Sequence, residues 1–476
     1  MEQLNRGFLN KKEQIFYQDL ETDFHIGFDL PEERVLQFGE GNFLRAFVDY
    51  FIDLLNEHKL FDGGIVLVQP IDKGLIDVIN EQDGLYTVLL RGLEDGHEVI
   101  KKRIVTSVTR GIDPYRDFAD FMAVATKPSI RFVVSNTTEA GITFVASDRI
   151  TDTPPSSFPA KVTLMLHERF KHFHGHKDRG LIFIPCELID NSGDRLREVV
   201  LQYAEDWGLS ADFIKWVDSS NYFTNTLVDR IVTGHPATND LDYEDKLLVT
   251  AETFNFFAIE ASGWAAAELN AKLPFAKAGV NAIVTEDVTP YKARKVRILN
   301  GAHTMSVLAA YLAGKETVGE MVGDPLFAKY LKKGIYEEII PTLDLDHADL
   351  VSFADSVQDR FANPYIKHML LSIALNSVSK FRARVLPSIL EYQKRKNALP
   401  DVLTFSFAAL VEFYRGDKVA DDAEIMEFFG KKPTVAEICA RTDYWGLDLN
   451  TVDGFVGKVE GYLKVGVVES LKTLLD

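Results

Sequence analysis

Three side chains of different chemistry, Lys295, Asn300 and His303, lie within the stretch Tyr291-Lys-Ala-Arg-Lys-Val-Arg-Ile-Leu-Asn-Gly-Ala-His-Thr304. Thr289-Pro290 just ahead of it reads as a helix start, Thr as N-cap and Pro at the first helical position, where its missing N–H costs nothing. At roughly 100° per residue the three fall at about 0°, 140° and 80° round an α-helix, so all project from one side. An amine, an amide and an imidazole so placed form a proton-transfer set. A buried Lys is a usable base, because desolvation disfavours its charged form and lowers a pKa that starts near ~10.4. Asn and His can donate to an oxygen that gains negative charge. Spacing alone leaves a second reading open, a solvated basic helix start, because Lys292, Arg294, Lys295 and Arg297 crowd together.

Such a set needs a platform, and the amino-terminal half offers one. Residues 34–38 make a short apolar strand, followed by Gly39-Glu-Gly41 and a helix with Phe43, Phe47, Phe51, Leu54 and Leu55 on one stripe. After Asp62-Gly-Gly64, residues 65–68 give the next strand, which completes a βαβ unit. Its glycine turn would aim backbone N–H groups at a pyrophosphate. Gly39 and Gly41 fit that use, but Leu44 stands where the common fingerprint has its third glycine, so a purely structural turn is also open. Asp72, after the second strand, is the candidate for the adenosine ribose, and no Arg stands beside Val68 and Gln69 to receive a 2′-phosphate. Residues 86–109 alternate as extra strands inserted into the sheet. Residues 131–134 lead to Asn136 at a strand's carboxyl end, the edge where nucleotides bind, or else a turn Asn closing its own backbone.

Residues 160–173 form a helix that finishes in His167, His172, His174 and His176. Their spacing mixes helix and loop and no acidic partner is positioned with them, so an exposed polar helix end is expected and no metal is assigned. Residues 181–184 are a buried strand ahead of Asn191, and a helix follows over residues 194–207. Asn225 and Asp229 are one helical turn apart. Residues 254–259 and 282–284 read as the last strands. Beyond Asn300, 3.6-period segments recur over residues 302–312, 335–343, 348–361, 365–381, 385–394, 403–414 and 452–474. The expected fold is an α/β Rossmann-like dinucleotide-binding domain with extra strands over residues 1–288, followed by a mainly α-helical domain over residues 289–476 that carries the catalytic helix.

Lys295-Val-Arg-Ile-Leu-Asn300-Gly-Ala-His303 resembles the catalytic helix of the polyol-specific long-chain dehydrogenases, the mannitol dehydrogenase family. Further matches are Gln37-Phe-Gly-Glu-Gly-Asn-Phe-Leu-Arg-Ala-Phe47, Ser135-Asn-Thr-Thr-Glu-Ala-Gly141, Pro185-Cys-Glu-Leu-Ile-Asp-Asn191, Asn225-Thr-Leu-Val-Asp-Arg-Ile231 and Arg360-Phe-Ala-Asn-Pro364. They cover most of the chain and most resemble the branch that acts on sugar acids. The resemblance implies Lys295 as general base, Asn300 and His303 holding the reacting oxygen, and no metal. It implies NAD as cofactor, held by Phe38, Gly39, Gly41, Asn42, Phe43, Arg45, Asp72 and Asn136. It places Asn191, Asn225 and Asp229 toward the substrate, with helix capping as the plainer alternative for each.

An aldonate or ketouronate brings a carboxylate that needs charged partners. His368, Lys380, Arg382 and Arg384 lie in an expected helical segment, residues 366–386, with Lys380 and Arg384 on one face at i, i+4. His368, Lys380 and Arg384 are the substrate-binding candidates, against a solvated basic helix end. The chain's formal charge of −19 makes such local cations necessary and argues against nucleic acid or an anionic membrane as partner. Its 476 residues exceed one ordinary core, and 46% hydrophobic with 26% charged residues fits a soluble globular protein. Residues 1–12 do not read as a secretory signal and no apolar run nears the ~20 residues of a membrane span, so a cytoplasmic location is expected. Two cysteines, Cys186 and Cys439, exclude a disulfide framework.

Overall fold

Alternation within a single strand decides the first architecture. In Glu33–Phe38, Val35 faces one apolar core with Ile65, Leu67 and Val134, whereas Leu36 and Phe38 face a second with Val66, Val68 and Val133. A strand buried on both faces must lie inside a sheet covered on both sides. The computed structural model describes residues 1–11, 30–138 and 140–475; Lys12 of the polar amino-terminal stretch and Glu139 of the 135–141 motif lie outside the described residues. The chain divides into two compact units, Met1–Arg91 with Val99–Val288, and Gly92–Glu98 with Thr289–Asp476.

The strands begin with β1 (Glu33–Phe38), β2 (Gly64–Val68), β3 (Tyr86–Glu94), β4 (His97–Val105), β5 (Val108–Ile112) and β6 (Phe132–Ser135). They continue with β7 (Ile182–Pro185), β8 (Tyr222–Phe223), β9 (Asn225–Asp229), β10 (Val232–Gly234), β11 (Val249–Ala251), β12 (Phe256–Glu260) and β13 (Ala282–Thr285). The main sheet runs β5-β2-β1-β6-β7-β8 with every pairing parallel. The chain leaves β1 toward β2 and β5, then returns to β6 on the other side of β1. The β1–β6 boundary is therefore the topological switch point, where a doubly wound sheet opens a crevice at its carboxyl edge.

Three readings of this unit need correction. The segments of residues 86–109 do not all insert into the main sheet: β5 takes the edge beside β2, while β3 and β4 join β11 and β10 in a separate four-stranded sheet. Asn225 and Asp229 are the ends of strand β9, antiparallel to β12, and not one helical turn apart. The helix after the glycine turn is broken: Asn42–Arg45 is separated from Val48–Glu57, and at the break Arg230 donates to the Ala46 carbonyl at 2.7 Å.

The second unit is helical. Its centre is the Asp401–Phe413 helix, buried along almost its whole length and packed on the Gly301–Leu312 helix. Residues 366–386 are not one helix; a left-handed Asn376 (φ 53°) separates the short Leu370–Ile373 turn from Ser377–Arg384. Gly466 (φ 94°) likewise splits the 452–474 segment into Phe455–Val465 and Val467–Thr473. No helix among the described residues is long and apolar enough to cross a membrane. Both cysteines are buried, and burial raises both thiols, Cys439 to about 12.

Glu338 locks the central helix in place, its two carboxylate oxygens accepting from the Val402 and Leu403 N–H groups at 2.9 Å each. Glu338→Ala leaves two buried donors without partners and is expected to cost about 2–5 kcal/mol, read as a lower urea midpoint at unchanged slope.

Candidate functional site

In the first unit a candidate site sits at the carboxyl ends of β1, β2 and β6. Gly39 follows β1 with φ +110°, its N–H donating to the Val68 carbonyl at 3.1 Å, and an added Cβ would come within 3.0 Å of the Asn136 carbonyl oxygen. Only glycine tolerates that backbone and that approach. Around Gly41 the opposite holds: nothing lies within 4 Å of where a Cβ would stand, so this side of the turn is open to a ligand. A cavity of about 580 Å³ opens there, walled by Gly39, Glu40, Gly41, Asn136, Ile71 and Lys73 among others. Its size, open glycine edge and switch-point position fit a dinucleotide.

Buried polar groups hold this turn. Gln37 donates from Nε2 to the Gly39 carbonyl at 3.0 Å. Tyr86 donates from its hydroxyl to Asp49 Oδ2 at 2.7 Å, while Asp49 Oδ1 and Gln37 Oε1, neighbours in this cluster, have no donor. Burial pushes the Asp49 carboxyl up to about 7, against the hydrogen bonds of Tyr86 and Gln37 and the charge of Arg45. Behind two wall residues, Lys161 is buried and donates to the carbonyls of Pro70 at 3.0 Å and Ser156 at 2.9 Å, with burial lowering its pKa to about 8.

In the second unit, by itself, the candidate residues lie on a helical rod with a defect at its middle. Thr289–Arg294 and Gly301–Leu312 are α-helical, but Lys295–Asn300 between them is a π turn, in which the Gly301 N–H reaches back five residues to the Val296 carbonyl. A π turn bonds over five residues instead of four and so advances less per residue, which brings Asn300 closer to the azimuth of Lys295. The offset of about 140° expected from α-helical geometry is corrected accordingly. Lys295, Asn300 and His303 are half-buried. Gly301 allows the close approach of the Ser377–Arg384 helix end, since an added Cβ would meet the Arg384 carbonyl at 3.1 Å.

That approach sets the surroundings of His303. Phe361 stacks on the imidazole, centroids 4.0 Å apart and planes 13° from parallel, and His368 meets it edge-on at 5.4 Å. Its Nε2 is out of solvent with no hydrogen-bond partner among the described residues. Burial, then the fields of His368, Arg360 and Arg384, hold the imidazole well below its ordinary pKa. It is neutral at physiological pH, with an N–H to offer and no charge. Arg384 also reaches the Thr304 hydroxyl at 3.4 Å.

The structure thus brings His303, His368 and Arg384 together. Lys380 joins through its helical neighbour Arg384, although its Nζ donates to the Ile373 carbonyl at 2.9 Å. Arg382 points away, donating to the Asp443 carbonyl at 3.1 Å. Gly39, Gly41 and Asn136 wall the cavity, and the Asn136 amide donates to the Cys186 carbonyl at 2.6 Å. Phe38 instead packs in the core against Phe121 and Phe158, and Phe43 stacks on Phe47 at 4.8 Å. Arg45 is a buried strut: it donates to the Glu40 carbonyl at 3.2 Å, to Asn42 Oδ1 at 2.6 Å and to the Leu247 carbonyl. Asp72 is exposed and is not among the cavity's walls, whereas Ile71 and Lys73 are.

Asn191 is an exposed, left-handed residue at the start of the Ser192–Asp206 helix. Asn225 caps that helix, its Oδ1 accepting from the Gly193 and Asp194 N–H groups at 3.1 and 3.2 Å. Asp229 is buried at the end of β9. Of the four histidines of residues 167–176, His167 lies edge-on to Phe213, His172 lies edge-on to Phe173, and His176 accepts from the Asp178 N–H. No group of His, Cys, Asp or Glu among the described residues is arranged to hold a metal. Sequence reasoning missed Glu40, Arg360 and Phe361, although all three stand inside quoted motifs; for Lys161 there was no signal.

A family model described as the mannitol dehydrogenase Rossmann domain matches residues 33–273, and one described as the mannitol dehydrogenase C-terminal domain matches residues 287–465. An altronate oxidoreductase of Escherichia coli O139:H28 is 48% identical over 471 residues, covering 93% of this chain and 97% of its own. One from Pectobacterium atrosepticum is 46% identical over 474 residues, covering 93% and 96%. Among solved structures, a substrate-free D-sorbitol dehydrogenase matches with TM-score 0.78 at 21% identity, over 99% of this chain and 100% of that one. Pseudomonas fluorescens mannitol 2-dehydrogenase, solved with NAD and D-mannitol, matches with TM-score 0.67 at 22% identity, over 99% of both chains. At these identities the two structures are likenesses of fold alone.

Asp49 supplies a pH test. A carboxyl whose pKa rises on folding holds its proton in the native state over a range where the unfolded chain has lost it, so stability falls as pH rises from about 4 to about 7. Asp49→Asn keeps the shape and never ionises. Its melting temperature is expected to match the parent near pH 4 and to exceed it by several degrees at pH 8, on the order of 2–4 kcal/mol.

Proposed function

Because the chain belongs to the mannitol dehydrogenase family, matching its two domain models in succession, we propose that it is an NAD-dependent oxidoreductase that interconverts D-tagaturonate and D-altronate in hexuronate catabolism. The altronate oxidoreductases, similar along nearly their whole length, support the sugar-acid substrate, and the NAD complex of the mannitol 2-dehydrogenase supports the coenzyme. The observation that carries the chemistry is the company of His303: a neutral imidazole beside Arg360, Arg384 and His368, on the same rod as Lys295 and Asn300.

The nicotinamide nucleotide, when bound, supplies the hydride acceptor; Gly39, Gly41 and Asn136 are the residues to hold it. In the oxidation direction Lys295 takes the hydroxyl proton of the substrate. Asn300 and His303 donate to the oxygen as it gains negative charge, and a neutral His303 does so without itself changing protonation. Arg360 and Arg384, with His368 and Lys380 beside them, are assigned to the carboxylate, which two guanidinium groups in a partly dry setting bind far better than bulk water does. Asn191 is assigned to substrate hydroxyls, and Asn225 and Asp229 to positioning.

Rates of NADH oxidation with tagaturonate, fructuronate and fructose test the substrate. Tagaturonate should lead in kcat/KM by tenfold or more; a lead for fructuronate or fructose would replace the substrate with that of a fructuronate reductase or a mannitol 2-dehydrogenase and leave the chemistry intact. Lys295→Ala is expected to lower kcat by at least about 10²–10⁴-fold and Asn300→Ala by about 10²–10³-fold, with NADH still bound. Unaltered turnover in Lys295→Ala ends the general-base assignment.

A further inference from the structure

Glu40, between the two glycines of the turn, is 6% exposed and yet forms part of the cavity wall. Its Oε1 accepts from the Leu75 N–H at 3.2 Å, while its Oε2 is out of solvent with no hydrogen-bond partner among the described residues. The carboxyl thus spans from the turn after β1 to the loop after β2. That loop closes tightly over it, since a Cβ at Gly74 would come within 1.9 Å of Glu40 Oε1. A buried glutamate kept only to hold Leu75 would be served as well by an amide, and its second oxygen would not be left dry without a donor. The orphan oxygen at the cavity wall points to a donor carried by a ligand.

The end of β2 is where a doubly wound fold places the acid that receives the adenosine ribose. Asp72, the acidic residue that follows β2, is exposed and off the wall, so the position is vacant in its usual form. We propose that Glu40 fills it from the first turn: its Oε2 accepts a hydrogen bond from an adenosine ribose hydroxyl and selects NAD over NADP. A carboxylate accepts from a 2′-hydroxyl but has nothing to accept from a 2′-phosphate, and in a desolvated setting the two anions repel. Burial raises the Glu40 carboxyl above its usual range, against the Leu75 and Glu40 N–H groups and the charge of Arg45. Lys73, exposed on the same rim, pulls the other way and favours a phosphate.

This inference rests on the dinucleotide reading above, and the test separates the two. NADH and NADPH are titrated against the full chain, following quenching of protein fluorescence and the shift in melting temperature. The parent is expected to bind NADH about 100-fold or more tightly than NADPH. Glu40→Gln keeps an oxygen for Leu75 and removes the charge, so the ratio should fall at least tenfold, chiefly because NADPH, drawn by Lys73, binds better. Should that variant not fold, Glu40→Asp keeps the charge but shortens its reach; NADH should weaken about tenfold with NADPH unchanged. Asp72→Asn should leave the ratio where it was. An unchanged ratio in Glu40→Gln, unchanged affinities in Glu40→Asp, or a collapse of the ratio in Asp72→Asn would each overturn the assignment. A parent that prefers NADPH overturns it and leaves the dinucleotide reading standing; a parent that binds neither overturns both.

Discussion

One hydrogen bond sets the register of Lys295, Asn300 and His303, the reach of the Gly301 N–H over five residues to the Val296 carbonyl. An α-helical bond to Arg297 would leave the Lys295 and Asn300 side chains about 140° apart round the rod. The wider turn draws them together and passes the chain on to Gly301, whose missing side chain admits the Arg384 carbonyl. From that contact follows the setting of His303, because the same helix end that touches Gly301 carries Arg384 past the imidazole. A single extra residue in a turn thus places an amine, an amide, an imidazole and a guanidinium. π turns are rare and weaker than α turns, and they persist where the packing around them fixes the alternative.

Much of the scaffold was legible in the sequence, for reasons that can be named. The βαβ start could be read because β1 and β2 are continuous apolar runs bounded by glycine, which is what burial on both sheet faces demands. The helical second half could be read from its 3.6-residue periodicity. Pattern failed where tertiary contacts override local preference. The helix after Gly41 breaks at Ala46 because Arg230, far along the chain, takes the carbonyl there. Asn225 and Asp229 share a face at a spacing of four in a strand as well as in a helix, so spacing could not decide between them. The π turn had no local signature at all; α-helical arithmetic still put the right three residues on one side, but with the wrong angle between two of them.

The candidate site was legible as chemistry and less so as geometry. The residues of the glycine turn divide into walls, Gly39 and Gly41, and struts, Asn42 and Arg45, a division that depends on which way a side chain turns and not on its type. The need for local cations was foreseeable from a net charge of −19, and Arg384 was within reach of that argument. Arg360 was not, because it lies on another helix and its relation to His303 is visible only in three dimensions. Guanidinium groups placed near a buried imidazole help to keep it neutral.

The two thiols carry a practical consequence. Cys186 lies at the end of β7 beneath the Asn136 amide, Cys439 is enclosed within the helical unit, and each is held in the unreactive protonated form. Electrophilic labels attack thiolates, so the native chain presents a chemically silent background. A reporter group can therefore be attached at any newly introduced surface cysteine without first stripping out the natural ones.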